Sequence, residues 1–511
     1  MSPLWLANAD PATAWAYQTW SDLAARLDKA NHLVVLPVHG FGDHGMGLPL
    51  DVEEVVGSAL LRAAITAANQ PARLLVLPPL RFGAAPYAHS HFGVDADTAL
   101  DALHEIVASV KASGFSRVLF FNTSPWNTEL VSTAALDART QLDLRTYVIG
   151  SAGVGLGFHP ADANRARTQS VAARLLARVP APSATPAEIR DAEFRPGFFG
   201  QPAAVIPDPA LDPEQVFSHS AAVLAGLLSE VLAHGTSLPA PTATLAPVDP
   251  SSLAMPPPSV DARPRELVAL TADQLAALPH KDRALVIIPT CAIEQHGHHL
   301  PLGTDAMLNQ LWLARALPRL PADAPVFVAP PITYGKSNEH MDFAGTITLS
   351  ATTLRRQLLA LAAHLKSLGF ARIAVFNTHG GNSATLVSTL RDIQTMLGLR
   401  AGMLSGHYRP VQTPQEAVFG FHAGEWETSL MLAGAPEFVR MDRAVCEYPA
   451  RVDEPGALRL EGAAAVFAWK TSDVSQSGVI GDATLATAEK GARWLEESSA
   501  ALARKIETLL A

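Results

Sequence analysis

The chain has 511 residues, of which 48% are hydrophobic and 17% charged, and it carries a net charge of −10 at pH 7. That length accommodates two or three domains with full-sized cores, and the acidic balance argues against nucleic acid as the main partner. Its two cysteines, Cys291 and Cys446, imply no disulfide framework and fit a reducing compartment.

The N-terminal stretch "MSPLWLANADPATAWAYQTW" has no basic region followed by a long apolar run, so no signal peptide is expected. No run of about 18 apolar residues free of charges and breakers is evident, so no membrane span is expected either. The expectation is a cytoplasmic globular protein. Further along come "LVVLPVHGFGDHGMGLPL" (33–50), "LLVLPPLRFG" (74–83), "KASGFSRVLFFNTSPWN" (111–127) and "GFHPADAN" (157–164). Residues 235–264 are rich in Pro, Ala, Ser and Thr without periodicity, which reads as a linker. Beyond it the four blocks return in order as "LVIIPTCAIEQHGHHLPL" (285–302), "VFVAPPITYG" (326–335), "KSLGFARIAVFNTHGGN" (366–382) and "GFHAGEWE" (420–427). The chain therefore reads as one unit written twice, 1–234 and 265–511, joined by 235–264.

Each half alternates strands and helices. "ALVIIP", "VFVAPP" and "RIAVFN" are continuous apolar runs, as in strands buried on both faces. In "TLRRQLLALAAHLKSLGF", Leu354, Leu358, Leu361, Ala362 and Leu365 follow a helical period, and Gly369 is placed to end the helix. This pattern predicts α/β domains with mostly parallel central sheets. Ligands in such folds bind beyond the carboxyl ends of the strands, where "EQHGHHLPLGTD" and "THGGN" fall.

Glu294 and His296 are two apart, so in an extended segment both face one side. Asp305 lies just before a helical pattern, where a carboxylate is favoured whether or not it binds an ion. His379 follows a predicted strand and would be a further ligand in the same crevice. "FHAGEWETS" offers His422, Glu425 and Glu427. If all three act, the helix starts near Glu425 with His422 in the loop before it. Glu339 and His340 sit in "YGKSNEHMDFAGT", which composition alone reads equally well as a polar surface loop. His298 and His299 exceed what one ion needs. Mixed nitrogen and oxygen donors suit Zn²⁺, Mn²⁺ or Fe²⁺.

Together "EQHGHHLPLGTD", "SNEHMDFAGT", "FNTHGGN", "HAGEWETS" and "SGVIGDATLATAEKG" resemble the creatininase family of metal-dependent amidohydrolases, over most of 285–491. The resemblance implies tandem three-layer α/β/α domains, one or two divalent ions, and hydrolysis of a C–N bond by a metal-activated water. It implies Glu294, His296, Asp305 (bridging) and His379 as ligands. Creatinine-hydrolysing members carry a further Glu where this chain has Gly381, and Glu425 is the expected substitute. Glu425 or Glu427 would take the water's proton, and His422 would pass one to the leaving nitrogen. Ser337, Glu339, His340 and Gly380 would contact substrate. Val418-Phe419 stands where creatinine enzymes have Trp–Asp, which puts creatinine itself in doubt.

The expected substrate is a small cyclic amide. The alternatives are a linear amidase, such as a formamide deformylase or a peptide-trimming enzyme, and a non-catalytic scaffold. In the first half Gly42 stands opposite Glu294, Ser124 opposite His379 and Asn164 opposite Glu427. His44, Glu53 and His159 stand opposite His296, Asp305 and His422. This half is expected to be catalytically silent. The family's hexamers further imply a homo-oligomer, with one chain mimicking a dimer and three chains a hexamer.

Overall fold

Buried apolar runs become the central strands. In the first half these are β1 (Leu33–His39), β2 (Leu74–Val76), β3 (Leu80–Arg81), β4 (Arg117–Asn122) and β5 (Arg145–Gly150). In the second they are β6 (Leu285–Thr290), β7 (Val326–Val328), β8 (Arg372–Asn377) and β9 (Arg400–Leu404). The computed structural model describes residues 6, 11–45, 47–85, 90–159, 162, 164–177, 212–234, 248–256, 263, 265–405, 408–449, 458–459 and 465–510. The first sheet runs β2-β1-β4-β5, with β3 also on β1, and the second runs β7-β6-β8-β9. Both sheets are parallel. The duplication extends to register: Leu33 opposes Leu74 as Leu285 opposes Val326, and Arg117 opposes Arg145 as Arg372 opposes Arg400.

Helices cover the sheets: α1 (Val52–Ala67), α2 (Ala96–Ala112), α3 (Pro213–Ala233), α4 (Thr304–Ala316), α5 (Ala351–Ser367), α6 (Glu425–Gly434) and α7 (Ala488–Leu510). Leu354, Leu358, Leu361, Ala362 and Leu365 form the buried stripe of α5. Gly369 follows its end at φ +96°, a conformation that glycine adopts without a Cβ penalty. By length and composition α3 could cross a membrane, which the search for unbroken apolar runs missed. Half of it is buried: Phe217, Leu224 and Leu228 join the hydrophobic cluster of the first half, beside α1. Residues 235–247 of the expected linker lie outside the described residues. Residues 248–256 include a short turn at Pro250–Ser252 and bury Leu253 in that same cluster, because an apolar side chain there gains more from packing than from solvent.

The halves share a core. One cluster takes Trp15, Leu23 and Phe115 from the first half and Leu300, Leu302 and Ile347 from the second. Their contacts are reciprocal. The amides of Leu302 and Gly303 donate to the carbonyls of Gln18 (2.9 Å) and Ala16 (2.8 Å), while those of Leu50 and Asp51 donate to Leu270 (3.1 Å) and Val268 (3.2 Å). Every residue in one pair stands 252 positions from its counterpart in the other. Helix α2 packs on its own counterpart α5, and Asp101 meets Arg356, its equivalent 255 positions on, at 2.8 Å. Reciprocity of this kind is the signature of a two-fold interface, here made within one chain.

Candidate metal centre

After β6, Glu294 and His296 turn to one side, His296 Nε2 lying 4.0 Å from Glu294 Oε1. Asp305 arrives from the first turn of α4, His379 from the loop after β8, and Glu427 from the first turn of α6. The carboxylates and imidazoles converge. His379 Nδ1 is 3.0 Å from Glu294 Oε1 and 3.6 Å from Asp305 Oδ2. His296 Nε2 is 3.5 Å from Asp305 Oδ1 and 3.9 Å from Glu427 Oε2. Three sets of donors lie within 4.8 Å of one another: Glu294, Asp305 and His379; His296, Asp305 and Glu427; and Glu294, His296 and His422.

The imidazoles are aimed by their second nitrogens. His296 Nδ1–H donates to the Glu294 carbonyl (3.1 Å) and His379 Nε2–H to the Lys336 carbonyl (2.9 Å), leaving Nε2 and Nδ1 respectively toward the centre. His422 Nε2–H donates to the Gln295 carbonyl (2.8 Å). Its loop turns at Ala423, which holds φ +53° and donates its N–H to Glu427 Oε2 at 2.6 Å. That left-handed residue costs about 1 kcal/mol or more and brings His422 and Glu427 to one centre.

Whether an ion fits can be judged from the atoms left without partners. Glu294 Oε2, His296 Nε2 and Asp305 Oδ2 are buried and accept or donate no hydrogen bond, a costly arrangement unless a ligand completes it. Charge points the same way. Burial disfavours the charged form of His296, yet Asp305, Glu427 and Glu294 more than offset it and push the imidazole up to about 9. Burial likewise opposes the charge on His379, and Glu294 and Asp305 raise it to about 10. Burial, with Asp305 adding to it, lifts Glu294 to about 7. A buried acidic cluster that drags two histidines upward is a cluster that favours a cation. The donor set fits a divalent ion, with nitrogen and carboxylate ligands in the proportions that zinc-type sites use.

Glu425 does not join this centre, contrary to the expectation that it is a ligand or base. Two positions apart on a helix, Glu425 and Glu427 face opposite ways. The Glu425 carboxylate takes Lys490, and its amide donates to Glu416 Oε1 at 2.8 Å. Glu427 supplies the extra carboxylate instead. At Gly381, where the resemblance places the further Glu of creatinine-hydrolysing members, a Cβ would lie 2.0 Å from Glu339 Oε1 and 2.6 Å from the Lys336 carbonyl. A cavity of about 350 Å³ opens beside the centre, lined by His379, Gly380 and Glu427 and walled by Trp312, Tyr408 and Trp426.

Of the residues expected to contact substrate, Gly380 lines this cavity. Ser337 is fully buried behind His379, its Oγ 3.3 Å from Nε2. Glu339 Oε1 is 3.6 Å from the same nitrogen. His340 Nε2 is 3.6 Å from Glu294 Oε1, and its ring stacks on His422 at 4.4 Å. His299 bonds Thr428 Oγ1 (2.8 Å), and His298 lies against Trp20. Sequence reasoning passed over Gln295, a fully buried hub whose amide nitrogen lies 3.0 Å from His340 Nδ1, His422 Nε2 and the Gly478 carbonyl. The signal was present: a polar residue between Glu294 and His296, which face one side, must point the other way, into the fold.

The first half has no such centre among the described residues. His44 Nε2 and Glu53 Oε1 pair directly at 2.8 Å, and Glu53 Oε2 accepts from Gly40 N–H (2.8 Å). A Cβ at Gly42 would lie 2.7 Å from His44 Nε2, so the vanished ligand's place has closed. His159 sits against Trp126 instead, ring centroids 5.4 Å apart.

The family model described as "Creatininase: Creatinine amidohydrolase" matches residues 16–189 and 269–506. This chain belongs to the creatininase family. It is a tandem, hydrolase-type member, since both halves are matched. The mycofactocin precursor peptide peptidase of Mycolicibacterium smegmatis is 34% identical over 43% of this chain and 82% of its own length. That of Mycobacterium ulcerans is 36% identical over 42% and 80%. The creatinine amidohydrolase of Pseudomonas putida is 29% identical over 42% and 84%. A solved creatinine amidohydrolase (creatininase) overlays with a TM-score of 0.40 at 25% identity, covering 48% of this chain and 97% of its own.

Proposed function

We propose that the second half is a metal-dependent amidase that trims a linear peptide, in place of the cyclic-amide substrate expected from sequence. The observation that carries this is the centre's opening into a cavity of about 350 Å³ between aromatic walls. That volume lies in the range of sites for drug-sized ligands and exceeds the need of a single small heterocycle. The peptidases at 34% and 36% identity stand nearer than the creatinine enzyme at 29%, and Val418-Phe419 replaces the pair creatinine enzymes carry.

Glu294, His296, Asp305, His379 and Glu427 would hold the metal, with Asp305 shared between two donor sets as a bridging carboxylate would be. When bound, a divalent ion supplies Lewis-acid polarisation of the amide carbonyl and makes water a nucleophile near neutral pH. Glu427, raised by burial and held by the Ala423 N–H, takes the water's proton. Burial and the nearby His296 hold His422 well below the usual imidazole pKa, so its Nδ1, which faces the centre 3.9 Å from Glu294 Oε1, carries no proton at rest. It would receive there the proton that Glu427 takes from water and pass it to the leaving nitrogen, which departs poorly as an anion. His340, stacked on His422, keeps that ring in place. Thr378 and Asn377 line the cavity floor and orient the peptide.

The test is amine release from linear peptides and from lactams by metal-loaded protein. Faster turnover of the peptides is expected. Turnover of lactams alone overturns the peptide reading, and a protein that takes up no metal overturns the hydrolase mechanism in favour of a scaffold.

A further inference from the structure

The backbone that carries Asp305 and the loop that seats Gln295 are both held by the first half. The carbonyls of Ala16 and Gln18 accept from Gly303 and Leu302, which sets the turn entering α4 with Asp305 in its first turn. Trp20 continues the same segment. Its indole N–H donates to the Ser477 carbonyl at 3.0 Å, and its ring packs on His298 and Phe343 with centroids 4.8 and 5.1 Å away. Gly478, the next residue, accepts from the Gln295 amide at 3.0 Å. The contact leaves no slack, since a Cβ at Gly478 would lie 1.9 Å from Gln295 Oε1. Gln295 in turn accepts from His422 through its carbonyl. A continuous chain of contacts therefore runs from Trp20 through 477–478 and Gln295 to His422. Asp22 anchors its near end to Arg443 at 2.8 Å. The mirrored segment of the second half has Ala272 where the first has Trp20, so only one of the two reciprocal arms carries an aromatic strut, and it is the arm that reaches the complete donor set.

We propose that Trp20 is a positioning residue for the metal centre of the second half, and that this centre is incomplete without the arm 16–22 of the first half. The inference rests on the metal reading above. It is tested in the full-length chain with Trp20→Ala and with Trp20→Phe, which keeps the ring and removes the N–H. Two readouts are taken: release of bound Mn²⁺ or Zn²⁺ to a chelator, and amide hydrogen exchange across 294–306 and 476–481. Trp20→Ala is expected to release metal about tenfold faster or more, the scale of lost second-layer support. Exchange should accelerate in those two segments and not across the first sheet. Trp20→Phe is expected to fall between, and it decides the matter if the alanine variant does not fold. Wild-type release and exchange in both variants overturn the proposal. If the unaltered protein binds no metal, the metal reading fails, and the exchange data alone decide whether the strut exists.

Discussion

Replacing Glu427 and Glu425 one at a time by Gln separates two acids that lie two residues apart. Gln keeps the volume and one acceptor, so Glu427→Gln removes charge and little else. It takes one donor of three from the set with His296 and Asp305, and it removes the proposed base. Loss of a positioned base costs about 100- to 10,000-fold in kcat, or about 3 to 5 kcal/mol of transition-state stabilisation. Glu425 instead meets Lys490, its own side chain 2% exposed and that of Lys490 35%, so Glu425→Gln, which keeps an acceptor for the ammonium but removes the buried charge, costs about 1 to 3 kcal/mol of stability. The assay is steady-state peptide cleavage beside metal content by mass spectrometry and urea unfolding. Glu427→Gln should lose activity and metal at nearly unchanged stability, and Glu425→Gln should turn over within about threefold of wild type. Loss of metal and turnover in Glu425→Gln, with Glu427→Gln active, would refute the geometry assigned to α6.

His44→Ala should leave peptide turnover unchanged, while urea unfolding shows about 1 to 3 kcal/mol of lost stability, because buried Glu53 loses its imidazole partner. Asp305→Ala should abolish activity and metal content together; a metal-free, fully active variant would contradict the mechanism. His39 is fully buried beside Thr123 (2.8 Å), and burial lowers its pKa from 6.5 to about 3. Between those values the unfolded chain binds the proton and the folded chain does not, so this residue's contribution is complete above pH 6.5 and drains away as pH falls. The loss is about 1.4 kcal/mol per pH unit at most, and His39→Gln should flatten the dependence of urea stability on pH over that window. Light scattering should give the mass of three chains; a clean monomer would count against assembly through paired halves.

The strands, and four residues that converge on the candidate centre, were legible because their signals are local. An apolar run followed by Glu-x-His fixes both the strand and the direction of the two side chains. His379 follows from its placement at a strand end, and Asp305 from its place at the start of a helical pattern. The choice between Glu425 and Glu427 was not local: it depends on where α6 sits against α7, which supplies Lys490. Ser337 and Glu339 look like loop polarity in sequence, and only the fold brings them behind His379. The helix α3 escaped notice because Glu214 and Glu230 interrupt its apolar stretch, yet both sit near its ends. The interlock of the halves involves residues more than 200 positions apart, beyond any periodicity, although the constant offset hinted at it.

Asp101 and Arg356 occupy equivalent places, one in each half, and attract each other. Two identical subunits cannot do this, because whatever residue one presents at such a position meets itself. Fusion into one polypeptide lifts that constraint. Each copy can accumulate changes that its twin does not share, and the tether keeps the two at high effective concentration whatever the strength of their contact. A gene arranged in this way can surrender one reaction centre, devote the freed copy to support, and still never produce a mismatched pair.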